Sequence, residues 1–238
     1  MNVQRTQLAY QERVFLLCTG IFIASLVACN LIFQKFFRWD IHYGFIQYTF
    51  EISVGIIPYP VTFLVTDVVS EIYGKKRADQ IVVSGLIASL FVLMIISIAD
   101  AVPQTDWSPV SSDLFHKVFG LTKASVLSSM CAYLAAQFID IRLFHFWKRM
   151  TNGRHLWLRN NASTMTSQFV DTSTVLFLLC LFGTIPWNLF TPLLINGYIF
   201  KLIIALCDTP FFYASAWYLR SKMGLQLGEE IAVQQSLA

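Results

Sequence analysis

The sequence predicts an all-α membrane protein, a polytopic helix bundle with six transmembrane helices. The chain has 238 residues, of which 56% are hydrophobic and only 13% are charged, whereas soluble domains are about a quarter charged. The apolar residues are clustered in long runs, and a run of about 20 residues matches a hydrocarbon core that is roughly 30 Å thick. Six such runs occur: Val14–Phe33, Ser53–Val69, Ile81–Ala99, Ser125–Ile139, Met165–Trp187 and Leu193–Leu219. The fourth run is short, and an extension through Leu143 is the alternative.

The loops between these runs are too short to hold a second soluble domain. We therefore predict one membrane domain at residues 13–222, between an N-terminal polar tail at 1–12 and a C-terminal tail at 223–238. Six spans divide into two halves of three, and an odd number per half would invert the second half in the membrane, as in many transporters. Thr62 precedes Asp67 in the second span as Thr166 precedes Asp171 in the fifth. An inverted repeat and a chance match both remain open.

The distribution of positive charge predicts the orientation, because Lys and Arg collect on the cytoplasmic side of membrane proteins. With the N-terminus inside, twelve positive residues fall in inside segments: Arg5, Arg13, Lys75, Lys76, Arg77, Arg142, Lys148, Arg149, Arg154, Arg159, Arg220 and Lys222. Four fall in outside loops: Lys35, Arg38, Lys117 and Lys123. We expect a multi-pass protein of the bacterial inner membrane with both termini in the cytoplasm.

Several other classes of function are disfavoured. The basic loop at 142–159 is explained by topology, so we expect no nucleic-acid partner. No C-x-x-C or H-E-x-x-H spacing occurs, so we expect neither a disulfide nor a metal or other cofactor. No G-x-S-x-G elbow or serine–histidine pairing points to an enzyme. The segment Leu26–Cys29 resembles a lipoprotein cleavage box, but the apolar run continues to Phe33.

Ionisable residues within the second span are the first candidates for function, because a charge at the centre of a membrane helix costs about 2.5–3.5 kcal/mol. Thr62 and Thr66 lie one turn apart, and Asp67 and Glu71 lie one turn apart on the adjacent stripe. Together they form a wide polar face that would line a cavity. For Glu71, the alternative is a residue at the cytoplasmic interface near Lys75.

The fifth span carries a polar stripe of its own. Ser163, Ser167, Asp171 and Thr174 fall at i, i+4, i+8 and i+11, which is one face of a helix. Gln168 flanks this face. Hydroxyl groups alone often bond to their own helix, but a carboxylate and an amide beside them favour a site.

The sixth span contains Lys201 and Asp208, which are two turns, or about 10.5 Å, apart along the helix axis. Each therefore needs another partner, which would be water, a substrate or a neighbouring helix, and a structural ion pair from Lys201 to another span is the alternative. The predicted directions of the helices place Asp67, Asp171 and Asp208 at a similar depth. Asn30 in the first span adds an amide.

At these residues the chain resembles a known family. The run P-Y-P-V-T-F-L-V-T-D-V-V-S-E-I-Y-G-K-K-R-A, which begins at Pro58, resembles the signature of the queuosine precursor transporter family. The strings A-C-N-L-I-F-Q-K, R-N-N-A-S-T-M-T-S-Q-F-V-D-T and K-L-I-I-A-L-C-D-T-P are also similar to that family. The resemblance implies a six-helix importer of 7-deazaguanine bases, such as the aminomethyl or cyano precursor or queuine. The alternative is the substrate-binding membrane component of a multi-subunit vitamin-type importer.

The implied substrate suits the polar residues of the spans. A guanine-like edge offers adjacent N–H and NH2 donors that a carboxylate accepts in bidentate fashion, and aromatic side chains can stack on the flat ring. The expected partners are this small base and membrane lipid, and the oligomeric state is left open. The predicted substrate-binding residues are Asn30, Thr62, Thr66, Asp67, Glu71, Ser167, Gln168, Asp171, Lys201 and Asp208.

Overall fold

The computed structural model describes residues 2–32, 35–43, 46–120, 123–152, 154–183, 185–226 and 229–231. Seven helices and one β-hairpin form within these residues. In chain order the elements are α1 (Asn2–Ile32), β1 (Phe36–Tyr43), β2 (Ile46–Ser53), α2 (Tyr59–Ile72), α3 (Lys75–Ala101), α4 (Ser112–Phe115), α5 (Lys123–Met150), α6 (Leu156–Leu181) and α7 (Phe190–Met223). The prediction of an all-α bundle is confirmed for the body of the protein.

Five of the described helical segments are long and apolar enough to cross a membrane: Gln7–Ile32, Val54–Ile72, Lys75–Ala101, Leu156–Leu181 and Trp187–Met223. The predicted fourth span falls in α5, which has 28 residues and is long enough. Its hydropathy is lowered by buried polar side chains such as Gln137, Asp140 and Lys148. The chain is thus a multi-pass membrane protein, and the count of six spans remains a prediction.

The hairpin between α1 and α2 was not predicted, because the segment was interpreted as a loop between spans. Its two strands pair antiparallel, with Phe36 opposite Ser53. Residues 37, 39, 41 and 43 alternate with polar residues, the period-two pattern of a strand. Trp39 packs edge-on against Phe200 of α7, with ring centroids 5.9 Å apart. The hairpin is therefore attached to the same part of α7 that carries Lys201.

Polar residues lie inside the bundle and large apolar residues lie outside it. On α3, the exposed side chains follow helical spacing: Val83, Ile87, Leu90, Met94 and Ile98. Such a stripe suits contact with lipid. Among the described residues, nineteen polar or charged side chains are buried together with the apolar core.

Close approach of α1 and α3 depends on a glycine. A Cβ added at Gly85 would lie 2.5 Å from the Phe22 ring and 3.0 Å from Leu26, while Phe22 is fully buried. Only a residue without a side chain lets the two helices meet at this distance.

Both ends of the chain contact the bundle. Helix α1 begins at Asn2, so residues 2–12 are helical and continuous with the first predicted span. Glu12 pairs with Arg77 of α3 at 2.8 Å. Near the other end, the backbone N–H of Ile231 donates to the carbonyl of Ile72 at 2.8 Å. Residues 227, 228 and 232–238 of the predicted C-terminal tail lie outside the described residues.

Candidate functional site

Buried polar side chains of α2, α5, α6 and α7 meet in three successive layers. We name each layer after one acid: the Asp171 layer, the Asp67 layer and the Glu71 layer. Their order follows α2, whose residues Tyr59, Asp67 and Glu71 each belong to one layer. Pro60 in the first turn of α2 is tolerated because the N–H groups there have no partner within the helix.

The Asp171 layer joins α2, α6 and α7 through one carboxylate. Tyr59 Oη donates to Asp171 Oδ2 at 2.6 Å, and Lys201 Nζ donates to the same oxygen at 2.6 Å. Lys201 Nζ also lies 4.5 Å from the centre of the Tyr59 ring, a cation–π distance. Lys201 therefore forms an ion pair with another predicted span, as one of the two alternatives for this residue expected.

Aromatic rings enclose this layer. Tyr59, Phe63 and Tyr133 form a triangle with ring centroids 5.3, 5.6 and 5.9 Å apart. Phe63 and Tyr133 are buried. Edge-to-face and tilted contacts at these distances are favourable, so the layer combines a charged group with flat apolar surfaces.

Two predicted threonines line α2 between the first two layers. Thr62 Oγ1 donates to its own helix at the Tyr59 carbonyl, at 2.6 Å. Thr66 Oγ1 lies 3.0 Å from the Thr62 carbonyl and 3.2 Å from Gln137 Oε1 of α5. Both side chains are fully buried. Their hydroxyl groups are therefore engaged in the helix and in contact with α5.

Two carboxyl groups, Asp67 of α2 and Asp140 of α5, form the Asp67 layer and lie within hydrogen-bonding reach of each other. Thr164 Oγ1 donates to Asp67 Oδ2 at 3.4 Å, and Ser167 Oγ donates to Asp140 Oδ1 at 3.0 Å. Asp67 is 3% exposed and Asp140 is fully buried. Asp208 of α7 is half-buried and interacts electrostatically with Asp67.

The Glu71 layer is an ion-pair network. Arg220 of α7 bonds to Glu71 Oε1, and Lys148 Nζ of α5 lies 3.6 Å from Glu71 Oε2. Lys148 also pairs with Glu230 at 2.8 Å. Glu71 is fully buried and lies one residue before the end of α2, so both its role in a polar cavity and its position near the cytoplasmic interface stay predictions.

Two further predicted residues carry free polar atoms. Within the described residues, Gln168 Oε1 and Asn30 Nδ2 are buried atoms without a hydrogen-bond partner. Gln168 precedes Asp171 by three positions, which makes the two residues neighbours on α6. Cys29, next to Asn30, interacts electrostatically with Asp171 and Lys201, so this turn of α1 lies beside the Asp171 layer.

The predicted single depth for three acids was wrong. Asp171 bonds to Tyr59, whereas Asp67 bonds to Thr164, which is seven residues from Asp171 on α6. Seven residues of helix correspond to about 10.5 Å. Asp67 and Asp208 share one layer, and Asp171 with Lys201 occupies another. Two separate polar centres replace the one that was expected.

Sequence reasoning missed the contribution of α5. Tyr133, Gln137, Asp140 and Lys148 fall at i, i+4, i+7 and i+15, which is one helical stripe, and all four are buried. The fourth span was ended at Ile139, one residue before the acid, with an extension through Leu143 as the alternative. A helical wheel drawn over the extended span would have revealed the stripe. Elsewhere, Tyr59 was missed because aromatic side chains were considered only as rings that could stack on the base, and Arg220 was missed because it was counted only as a topology signal.

A separate cavity of about 580 Å³ opens between α6 and α7 beside the Glu71 layer. It is lined in part by Trp157, Tyr213, Trp217 and Arg220. Trp157 and Trp217 are exposed, which suits the amphipathic ring at the membrane–water interface. Within the described residues, no group of three or more His, Cys, Asp or Glu side chains is arranged to hold a metal ion.

Comparison with protein families gives a match over most of the chain. The model of a family described as "Putative vitamin uptake transporter" matches residues 53–215. This range includes Tyr59, Asp67, Asp140, Asp171 and Lys201. It therefore covers the Asp171 and Asp67 layers.

Two curated proteins are similar to the chain. The "Probable queuosine precursor transporter" of Bacillus subtilis (strain 168) is 29% identical over 167 residues, which cover 68% of this chain and 71% of that protein. The "Queuosine precursor transporter" of Escherichia coli (strain K12) is 28% identical over 130 residues, which cover 54% of this chain and 55% of that protein. No solved structure matches the chain.

Proposed function

The chain belongs to the family of vitamin uptake transporters whose model it matches, and from this premise we propose that it imports 7-deazaguanine precursors of queuosine across the bacterial inner membrane. The names of both curated relatives support this substrate class. The proposal assigns both termini to the cytoplasm, in keeping with the distribution of Lys and Arg. It involves transport and no catalytic step.

One observation carries the proposal: a buried carboxylate with two convergent donors lies inside the region that matches the family. Asp171 accepts from Tyr59 and Lys201 at one oxygen. A 7-deazaguanine edge presents two adjacent N–H donors, and a carboxylate accepts such a pair in bidentate fashion. We infer that the base replaces these two donors when it binds to Asp171.

The neighbouring groups fit the remainder of the base. Gln168 Oε1 is an acceptor and Asn30 Nδ2 is a donor, and neither has a partner in the described residues. The rings of Tyr59, Phe63 and Tyr133 provide flat apolar surface. A pocket that combines apolar walls with a few placed polar groups is typical of a small-molecule site.

Restoration of queuosine in a bacterial strain tests the function. The strain would lack its own synthesis and uptake of the precursor, and it would receive this chain together with external 7-aminomethyl-7-deazaguanine. We expect queuosine to return in its tRNA with the chain and with the exposed-loop variant Asp106→Asn, but not with an empty vector. If queuosine stays absent while the chain is found in the membrane, the proposal is wrong.

A further inference from the structure

The three layers differ in their balance of charge. In the Asp171 layer, Lys201 neutralises the acid at 2.6 Å. In the Glu71 layer, two acids face two bases, because Arg220 and Lys148 pair with Glu71 and Lys148 also pairs with Glu230. Within the described residues, neither Asp67 nor Asp140 has a Lys, Arg or His partner in an ion pair. The Asp67 layer therefore carries buried acid without a counter-charge, which is costly unless another cation is bound.

The unpartnered oxygens of the Asp67 layer indicate which kind of cation the layer would bind. Each carboxyl group uses one oxygen to accept a hydroxyl hydrogen, from Thr164 or from Ser167. The other oxygens, Asp67 Oδ1 and Asp140 Oδ2, are buried and have no donor within the described residues. Since the two carboxyl groups interact with each other, one proton held by the pair would supply a donor that the layer otherwise lacks.

Unpartnered polar groups continue from this pair towards the Glu71 layer. Ser70 lies three residues beyond Asp67 on α2, and Asn160 lies one turn from Thr164 on α6. Ser70 Oγ and Asn160 Oδ1 are buried atoms without a partner in the described residues, and both residues are less than 5% exposed. His145 Nε2 of α5 is a third such atom. His145 belongs to the Glu71 layer, where its Nδ1 lies 3.8 Å from Glu230. Buried polar groups are normally bonded, so unpartnered atoms from the acid pair to the Glu71 layer indicate a passage for mobile protons or water.

We propose that the Asp67–Asp140 pair binds and releases one proton in each transport cycle, and that Ser70, Asn160 and His145 mark its route to the cytoplasm. The step is a simple proton transfer: a carboxylate gains H⁺ from one side of the membrane and loses it to the other, and no other bond changes. Coupling of this proton to the base rests on the proposed function. Substrate and proton would then occupy layers about 10.5 Å apart on α6.

A metal cation fits this layer less well than a proton. Hard cations such as Ca²⁺ take about six to eight oxygen ligands, whereas the pair offers two free oxygens. Among the described residues, the ionisable groups near the pair or its route include the following: Asp208 and Arg220 on α7, Glu71 on α2, His145 and Lys148 on α5, and Glu230.

Transport by the purified chain in liposomes tests the coupling. A gradient of about one pH unit, alkaline inside, can support roughly tenfold accumulation for each proton moved, which equals about 1.4 kcal/mol. We expect labelled 7-aminomethyl-7-deazaguanine to accumulate under this gradient and not under a sodium gradient alone. Asp140→Asn mimics the protonated acid, so it should lose accumulation but still exchange labelled base for unlabelled base. Asp106→Asn on the exposed loop should retain both activities.

Three results would overturn the proposal that the Asp67–Asp140 pair carries the proton. Accumulation by Asp140→Asn under the proton gradient would exclude the pair as the coupling site. Loss of both accumulation and exchange in a folded Asp140→Asn protein would place Asp140 in the substrate site instead. Accumulation driven only by sodium would exclude the proton.

Infrared spectroscopy provides a readout that does not depend on the substrate. The purified wild-type chain should show the C=O stretching band of a buried protonated carboxyl group. This band should shift in frequency in Asp140→Asn and in Asp67→Asn, where one acid of the pair remains, and should stay unchanged in Asp208→Asn. If the band is absent from the wild-type chain, the proton site is refuted. If the band is present but no base is transported, the proposed function fails and the proton site stands.

Discussion

Lys201 Nζ of α7 lies 2.6 Å from Asp171 Oδ2 of α6, and the two side chains are only 15% and 5% exposed. This ion pair links the last two helices at the level where Tyr59 of α2 also donates to Asp171. Removing one partner of a buried ion pair is costly. Variants at either residue should therefore change the folded yield as well as transport.

Removal of the charge at Asp171 should reduce transport. Asp171→Asn keeps the size of the side chain, and loss of one charge-assisted hydrogen bond to the base costs about 1.5–3 kcal/mol. We expect uptake of 7-aminomethyl-7-deazaguanine by cells to fall at least about tenfold, or about 1.4 kcal/mol, at equal amounts of protein in the membrane. Normal uptake would show that this acid has only a structural role.

The double variant Asp171→Asn/Lys201→Met separates structure from function. Lys201→Met alone leaves Asp171 buried and unpaired, so its folded yield should drop, because breaking such a pair costs about 3–5 kcal/mol. The double variant should recover the yield, measured by size-exclusion chromatography in detergent, without recovering uptake. If yield and uptake are both unchanged in Lys201→Met, the ion pair contributes neither to folding nor to transport.

Neutralisation of Glu71 should destabilise the fold. Glu71→Gln leaves the buried Arg220 and Lys148 without their shared acid, and we expect a loss of about 3–5 kcal/mol in thermal unfolding experiments. Glu12→Gln removes the exposed partner of Arg77 and serves as the matched control, with an expected loss of at most about 1 kcal/mol. Equal melting temperatures for the two variants would contradict the buried network.

Two glycines within spans should respond in opposite directions. Gly85→Ala brings a Cβ to 2.5 Å from the Phe22 ring, and overpacking of this kind costs about 1–3 kcal/mol. Gly20 of α1 has no atom within 4 Å of an added Cβ in the described residues. Gly20→Ala should therefore be neutral or slightly stabilising, because Ala is the better helix former. Unfolding of both variants in detergent measures the difference, and a stable Gly85→Ala would contradict the packing of α1 on α3.

The sequence predicts some of the site residues but not the contacts between them. The run that contains Asp67 and Glu71 stands out because two acids interrupt an apolar helix, and Asp171 stands out for the same reason. Spacing within one helix cannot show which residue of another helix faces it, so the pairing of Asp171 with Lys201 could not be predicted. The separation of Asp67 from Asp171 depends on how far α2 and α6 are shifted along their axes, and hydropathy does not report such a shift.

Asp140 illustrates a different difficulty. A helix that buries Gln137, Asp140 and Lys148 against other helices has low mean hydropathy. The ends of such a span are therefore difficult to assign from hydropathy, because the polar site residues themselves lower it. The hairpin was missed because its alternation of apolar and polar residues lies between two long apolar runs, and the segment was therefore interpreted as a loop. Polar residues on a helical stripe just beyond an apolar run therefore merit attention in membrane sequences.

Exchange transport by the chain alone tests the central claim most directly. Liposomes that contain only the purified protein would be loaded with unlabelled 7-aminomethyl-7-deazaguanine, diluted, and given a trace of labelled base outside. We predict that labelled base enters these liposomes, that it does not enter empty liposomes, and that Asp171→Asn abolishes its entry. Equal entry into protein-containing and empty liposomes, with the protein folded and inserted, would contradict the account of this chain as a self-sufficient carrier of 7-deazaguanine bases.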